Sequence, residues 1–118
     1  MIGIDLVEVD RFDNLVLFDK IGREEERDYV FGVKNDNLKR QKLTSLFCVK
    51  EALVKALGLG GSGVSMKDFC LCHDESGRPE VKLYGKAKEV FEKNFPSKQI
   101  AVSLSHTKKY VTAIAIIC

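Results

Sequence analysis

The sequence predicts an α+β fold: an antiparallel sheet packed on one long helix and several short ones. Three observations carry that expectation. Leu43, Leu46, Phe47, Leu53, Val54 and Leu57 fall on one stripe at helical spacing, and Gly58 follows as a stop. Segments with strand-like patterning open the chain at residues 2–9 and close it at 99–105 and 110–117. Between them, Asp74-Glu75-Ser76-Gly77-Arg78-Pro79 has the composition of a turn joining two further strands. This grouping of strands and helices, with no internal repeat, suits an α+β arrangement.

In chain order, residues 2–9 read as the first strand, and Asp10 suits the cap of a helix reaching about residue 18. Residues 19–36 are dense in charge around Arg23-Glu24-Glu25-Glu26-Arg27-Asp28, where a short helix is expected. The long helix spans about 37–57, and residues 58–63 (Gly-Leu-Gly-Gly-Ser-Gly) form a loop. Residues 68–73 and 80–84 are the two central strands, the second with Val81 and Leu83 on one face. Residues 86–95 form an amphipathic helix built on Ala87, Val90, Phe91 and Phe95 and closed by Pro96. A tight turn through Thr107, Lys108 and Lys109 joins the last two strands.

A chain of 118 residues, 45% hydrophobic and 31% charged, has the length and balance of one soluble globular domain, here residues 1–118. Its net charge of +2 gives no footprint for nucleic acid, although residues 86–109 carry six lysines against Glu89 and Glu92. The apolar, strand-like opening, with no basic n-region or cleavage site, leads us to expect no secretory signal. No apolar run reaches the roughly 18 residues of a membrane helix, so no membrane partner is expected. Cys48, Cys70, Cys72 and Cys118 lack CxxC spacing, which argues against structural zinc. Four reduced thiols acting as small apolar side chains fit a cytoplasmic protein.

The chemistry concentrates on a few polar residues in apolar settings. Lys50 lies at the centre of the long helix's apolar stripe. Either its stem snorkels over the core with the head in water, or its ammonium faces an anion in a cleft. Glu51 and Lys55 are an i, i+4 pair, which on most helices is a weak surface bridge. Asp5 stands inside an apolar opening strand, where a carboxylate needs a reason. A frayed strand end or a basic partner would supply one, and so would a metal. Mg²⁺ takes one or two protein carboxylates and completes its octahedron with water and phosphate oxygens. Asp5 and Glu51 are the right number of ligands for a metal shared with a diphosphate.

The glycine loop follows a helix, whose C-terminal end carries partial negative charge, and it lacks Gly-Lys-Ser/Thr. Helix termination and close approach of backbone to a ligand suit it better than a phosphate cradle. His106 shares a strand face with Ile100, Val102 and Leu104 and is flanked by Ser105 and Thr107. It reads either as a satisfied core histidine or as a phosphate contact at a strand-to-turn corner.

Asp5 in Gly3-Ile4-Asp5-Leu6, Glu51 in Phe47-Cys48-Val49-Lys50-Glu51-Ala52, and Val102-Ser103-Leu104-Ser105-His106-Thr107, in this order, resemble the small phosphopantetheinyl transferases of the holo-acyl-carrier-protein synthase type. The resemblance runs over nearly the whole chain and implies their fold. It implies that Asp5 and Glu51 bind Mg²⁺ with the diphosphate of coenzyme A, and that Lys50 and Lys55 line the phosphates. It likewise implies that the loop with Gly58 and Gly60 approaches the substrate and that His106 and Thr107 lie near the phosphates. Arg78 and Pro79, in Ser76-Gly77-Arg78-Pro79, would approach the adenine end from a neighbouring subunit of a homotrimer. Arg11 would face an acidic acyl carrier protein.

The implied reaction transfers 4′-phosphopantetheine from coenzyme A to a serine hydroxyl of the apo carrier protein and releases adenosine 3′,5′-bisphosphate. Asp5, Glu51 and Lys55 would be the catalytic set, with Glu51, directly or through a metal-bound water, as base. The chain departs from the family at Leu46-Phe47-Cys48-Val49, where many members carry Arg-Phe-Ala-Ala. Asp13, Asn14 and Asp19 also thin the basic patch that often follows Arg11. The rival readings are a non-catalytic coenzyme A or nucleotide-binding module, and a trimer-forming scaffold that would leave Asp5 and Lys50 unexplained.

Overall fold

The patterning at the start of the chain becomes strand β1 (Ile2–Glu8) in the computed structural model, which describes residues 1–11, 15–60 and 63–118. β1 pairs antiparallel with β5 (Tyr110–Ile117), and β5 with β4 (Ile100–His106), giving the order β1-β5-β4. The register sets Asp5 opposite Ala113, and Ala113 opposite Leu104. Alternation turns Val7, Val111, Ala113, Ala115 and Ile117 inward, where they are buried.

The 22-residue helix α3 (Asp36–Leu57) packs across β1 and β5. Asn35 caps it by accepting a hydrogen bond from the Leu38 amide at 3.0 Å. Gly58 ends it in the left-handed conformation, at φ 68°, which glycine adopts without a Cβ penalty. Leu43, Leu46, Val49, Ala52, Leu53 and Ala56 fill the core beneath. Gly3 lets β1 lie directly on this helix, because a Cβ there would run into the Ala52 carbonyl and the Ala56 amide.

The expected single sheet is divided. β2 (Phe69–His73) and β3 (Pro79–Leu83) form a separate two-stranded ladder, with β3 running beside β4. Helix α4 (Gly85–Asn94) follows this hairpin. The charged segment resolves into α1 (Leu17–Ile21), a 3-10 turn at Glu24–Glu26 and α2 (Arg27–Phe31).

The helix expected from Asp10 to residue 18 is corrected. The Val9 amide donates to the Lys109 carbonyl at 2.8 Å, so the chain is still tied to the β4–β5 turn where that helix should begin. A 3-10 turn at Val9–Arg11 results, and α1 starts only at Leu17. Residues 12–14 of that helix, including Asp13 and Asn14, lie outside the described residues, as do Gly61 and Ser62 of the glycine loop.

Candidate active site

β1 brings Asp5 onto the face it presents to α3, on the same side as Gly3 and Val7. The Asp5 carbonyl accepts hydrogen bonds from the Cys48 thiol at 3.4 Å and the Thr112 hydroxyl at 3.0 Å. Burial, followed by the nearby Asp5 charge, pushes the Cys48 thiol up to about 12, so it stays protonated as a donor. With its backbone pinned, Asp5 aims its carboxylate at α3. Lys55 Nζ lies 3.0 Å from Asp5 Oδ1 and also donates to the Ile4 carbonyl at 3.1 Å.

Lys55 therefore bridges to the strand rather than to Glu51, its partner by sequence spacing. The hydrogen bond to Asp5 holds the Lys55 ammonium above its ordinary range, and the charges of Asp5 and Glu51 add to this. Cys48, Ala52 and Lys55 recur at i, i+4 and i+7, which lays them on the helix face against β1. Glu51, half-buried, stands one turn before Lys55 on the edge of that face. The Asp5 side chain is 15% exposed and that of Lys55 is 53% exposed, so the pair is reachable from solvent.

Two carboxylates from different elements, one of them paired with Lys55, offer oxygen donors of the kind a hard cation takes. No group of three or more metal-ligating side chains exists among the described residues. The set thus fits a metal completed by water and substrate oxygens, and does not fit an all-protein cage.

Lys50 requires a correction. Its side chain is fully buried, and its ammonium pairs with Glu26 Oε1 at 2.7 Å and donates to the Ile21 carbonyl at 2.6 Å. It neither snorkels nor faces a cleft, and the position assigned to it beside the phosphates is withdrawn. Desolvation lowers the Lys50 pKa, and the Glu26 charge opposes that shift. In the sequence, Glu26 is indistinguishable from its charged neighbours. The signal for it was Lys50 itself, since an ammonium at the centre of an apolar stripe demands a buried anion.

His106 is exposed, which removes the core-histidine reading. It lines a cavity of about 270 Å³ with Tyr29, Gln41, Ser45, Gly77 and Pro79. Tyr29 stacks on His73 there, with ring centroids 5.1 Å apart. Thr107 begins the following turn, its hydroxyl accepting from the Lys109 and Tyr110 amides at 3.2 and 3.1 Å.

The turn holding Arg78 is built by Asp74, whose Oδ1 accepts from the Ser76 and Arg78 amides, both at 2.9 Å. Gly77 supplies the positive φ of 85° that the turn needs. The Arg78 side chain is exposed. At Gly58 and Gly60 a Cβ would meet nothing within 4 Å among the described residues.

The structure thus gathers the predicted residues into two groups. Asp5, Glu51 and Lys55 lie where β1, one edge strand, meets the C-terminal half of α3. His106, Gly77 and Pro79 lie on the β4 side, against Gln41 and Ser45 of the N-terminal half. At 1.5 Å per residue, Ser45 and Lys55 are about 15 Å apart along the helix. Arg11, exposed in the 3-10 turn after β1, has its guanidinium 5.6 Å from the Phe47 ring centroid.

A family model described as the 4′-phosphopantetheinyl transferase superfamily matches residues 1–115. The chain belongs to this superfamily. A relative from Thermoanaerobacter sp. (strain X514), a holo-[acyl-carrier-protein] synthase, is 41% identical over 123 residues, covering 98% of this chain and 84% of the relative. Crystallographic members share the fold. The holo-ACP-synthase from Plasmodium yoelii is similar with TM-score 0.81 and 31% identity, over 98% of this chain and 91% of its own. The Bacillus anthracis str. Ames synthase, in complex with CoA (3′,5′-ADP), has TM-score 0.79 and 28% identity over 98% and 93%.

Proposed function

We propose that this phosphopantetheinyl transferase domain, residues 1–118, moves 4′-phosphopantetheine from coenzyme A to a serine hydroxyl of an apo acyl carrier protein. The observation that carries the reading is the Asp5–Lys55 contact of 3.0 Å with Glu51 one helical turn away. Names and bound ligands of the relatives support the same substrate pair.

The serine oxygen bonds to the pantetheine-bearing phosphorus while the bond to the bridging oxygen breaks, releasing adenosine 3′,5′-bisphosphate. Little covalent work falls to the protein in such a transfer, so positioning and charge compensation dominate. Lys55 offsets charge on the phosphates. Glu51 takes the serine proton as general base. Asp5 holds Lys55 and, with Glu51, would hold Mg²⁺. Bound there, the metal would neutralise diphosphate charge and polarise it towards attack. Thr107 and the backbone beside Gly58 and Gly60 are assigned to the substrate's phosphate side.

The two separated groups are assigned to one shared site. In a homotrimer, the Asp5–Glu51–Lys55 group of one subunit would meet His106, Arg78 and Pro79 of the next. The open face of the three-stranded sheet supports assembly: Ile2, Ile4 and Leu6 are 64%, 62% and 65% exposed, flanked by Ile116. Arg11 is the proposed contact for the carrier protein.

The decisive experiment is mass spectrometry of an apo acyl carrier protein incubated with coenzyme A, Mg²⁺ and this protein. The carrier should gain one phosphopantetheine, and no gain would defeat the reading. Calorimetry separates the rivals, since the enzyme predicts coenzyme A binding coupled to metal and a binding module predicts metal-independent binding. Sedimentation analysis should give a trimer; a monomer would remove the shared site.

A further inference from the structure

The one fully buried ion pair among the described residues is made by Lys50, the residue next to Glu51 on α3. Glu26 Oε1 accepts from Lys50 Nζ at 2.7 Å and from the Arg23 amide at 2.8 Å, while Oε2 accepts from the Leu71 amide at 2.7 Å. The Lys50 ammonium also donates to the Ile21 carbonyl at 2.6 Å. Both side chains are 0% exposed. Two contacts from Lys50 thus tie α3 to the end of α1 and to the 3-10 turn at Glu24–Glu26, and two more hold Glu26 itself, one of them to β2. We propose that Glu26 is a positioning residue for the Asp5–Glu51–Lys55 site, acting through Lys50 to fix the rotation of α3; this rests on the reading of that site given above.

Stability alone is a poor reason for such a pair. Desolvating two charges offsets most of their attraction, and well-packed apolar side chains in their place often leave a protein as stable or more so. Orientation is a better reason. Towards β1 the directional contacts of α3 come from Cys48 to the Asp5 carbonyl and from Lys55 to Asp5 and the Ile4 carbonyl. They begin and end on residues in or beside the site itself, and Lys50 adds a hold on the helix from outside it. The remaining stripe is apolar, and apolar burial is non-directional. Lys50 immediately precedes Glu51. With side chains reaching roughly 5–6 Å from the helix axis, a rotation of about 20° would carry the Glu51 carboxylate about 2 Å. Displacements near 1 Å in a reacting constellation can cost about a hundredfold in rate.

The test compares Lys50→Met, the neutral pair Glu26→Gln/Lys50→Met, and Glu26→Asp, which keeps the charge and draws it back by one methylene. Arg23→Ala is the comparator. It removes side-chain contacts of the same turn to Glu25, Lys67 and Tyr84, none of which lies on α3, and leaves the Glu26–Lys50 pair in place. Each variant is checked for native fold by near-ultraviolet circular dichroism and a thermal melt. Turnover, KM for coenzyme A, and affinity for Mn²⁺ as a metal probe are then measured.

The pair variants should lose about tenfold or more in kcat, with KM for coenzyme A changed by less than about threefold. They should bind Mn²⁺ more weakly, and Glu26→Asp should fall between them and wild type. Arg23→Ala should lower the melting temperature and leave kcat and Mn²⁺ affinity unchanged. Folded pair variants with wild-type kcat and Mn²⁺ affinity would overturn the proposal, as would an equal kcat loss in Arg23→Ala. A wild-type protein that binds Mn²⁺ yet transfers nothing would defeat only the assigned reaction, because the Mn²⁺ comparison would still decide the role of Glu26.

Discussion

Asp5→Ala separates folding from function more cleanly than any other single change in this chain. It deletes a carboxylate that is 15% exposed and paired with a lysine that is 53% exposed. Water screens such a pair, so its loss costs only about 0.5–1 kcal/mol of stability. For a domain of this size that lowers the melting temperature by roughly 2–5 °C. The Asp5 backbone keeps its hydrogen bonds from Cys48 and Thr112, which hold β1 in register.

Turnover should fall at least about a hundredfold, equivalent to about 2.7 kcal/mol of barrier, in the range seen when a charge-stabilising group is removed. Hydrogen bonding raises the Lys55 pKa, so the pair's contribution is complete below the ordinary lysine value of 10.5 and vanishes as pH climbs through the raised folded value. The melting-temperature gap between wild type and variant should therefore be flat between about pH 7 and 9 and close only above about 10.5. Steady-state transfer to an apo carrier protein, with melts across that range, supplies both readouts. A variant with wild-type turnover, or wild-type activity surviving exhaustive chelation, would refute the assignment.

Glu51→Ala and Arg78→Ala proteins, each weak alone, should regain activity when mixed through dissociation and reassembly; no recovery in verified mixed oligomers would show that each chain holds a complete site. Arg11→Glu should weaken carrier-protein affinity at low salt, and added salt should weaken it for wild type with a modest slope; unchanged kinetics would move the docking face elsewhere. Gly3→Ala should destabilise by about 1–3 kcal/mol by forcing a Cβ against the Ala52 carbonyl, and it should lower turnover by shifting β1 from α3. A melt and an activity assay on one preparation check both.

Local signals made α3, its glycine stop and the closing strands legible in the sequence. The stripe from Leu43 to Leu57 has helical period, and Tyr110–Ile117 is strand over the residues its pattern marks. Pairing was less legible, because β2 and β3 look like members of the same sheet as β1, β4 and β5 until the strand pairing is known, and that pairing is a tertiary property. The stretch after β1 failed for the same reason: the Val9–Lys109 hydrogen bond joins residues far apart in sequence and overrides the capping signal of Asp10.

At the site, the family resemblance singled out Asp5, Glu51 and Lys55, which the fold sets on β1 and the facing part of α3, while spacing gave Lys55 the wrong partner. The i, i+4 rule compares residues within one helix and is blind to a strand laid against it. Lys50 shows the converse error. Its position on the stripe was read correctly and its neighbour was not, since Glu26 arrives from a segment whose charge density hid one buried acid among five exposed or half-exposed charges.

The pleat of β1 has a consequence for how this protein can change over evolutionary time. Asp5 lies on the side that meets α3, and Ile4 and Leu6 lie on the side proposed to meet another copy. Point substitutions can therefore revise either side without rewriting the other. A one-residue insertion or deletion has no such freedom. It would turn Asp5 into the proposed contact between copies and drive an isoleucine or leucine towards the helix, ending chemistry and assembly in one step. Seven residues of strand thus form a reading frame of their own, tolerant of misspelling and closed to slippage.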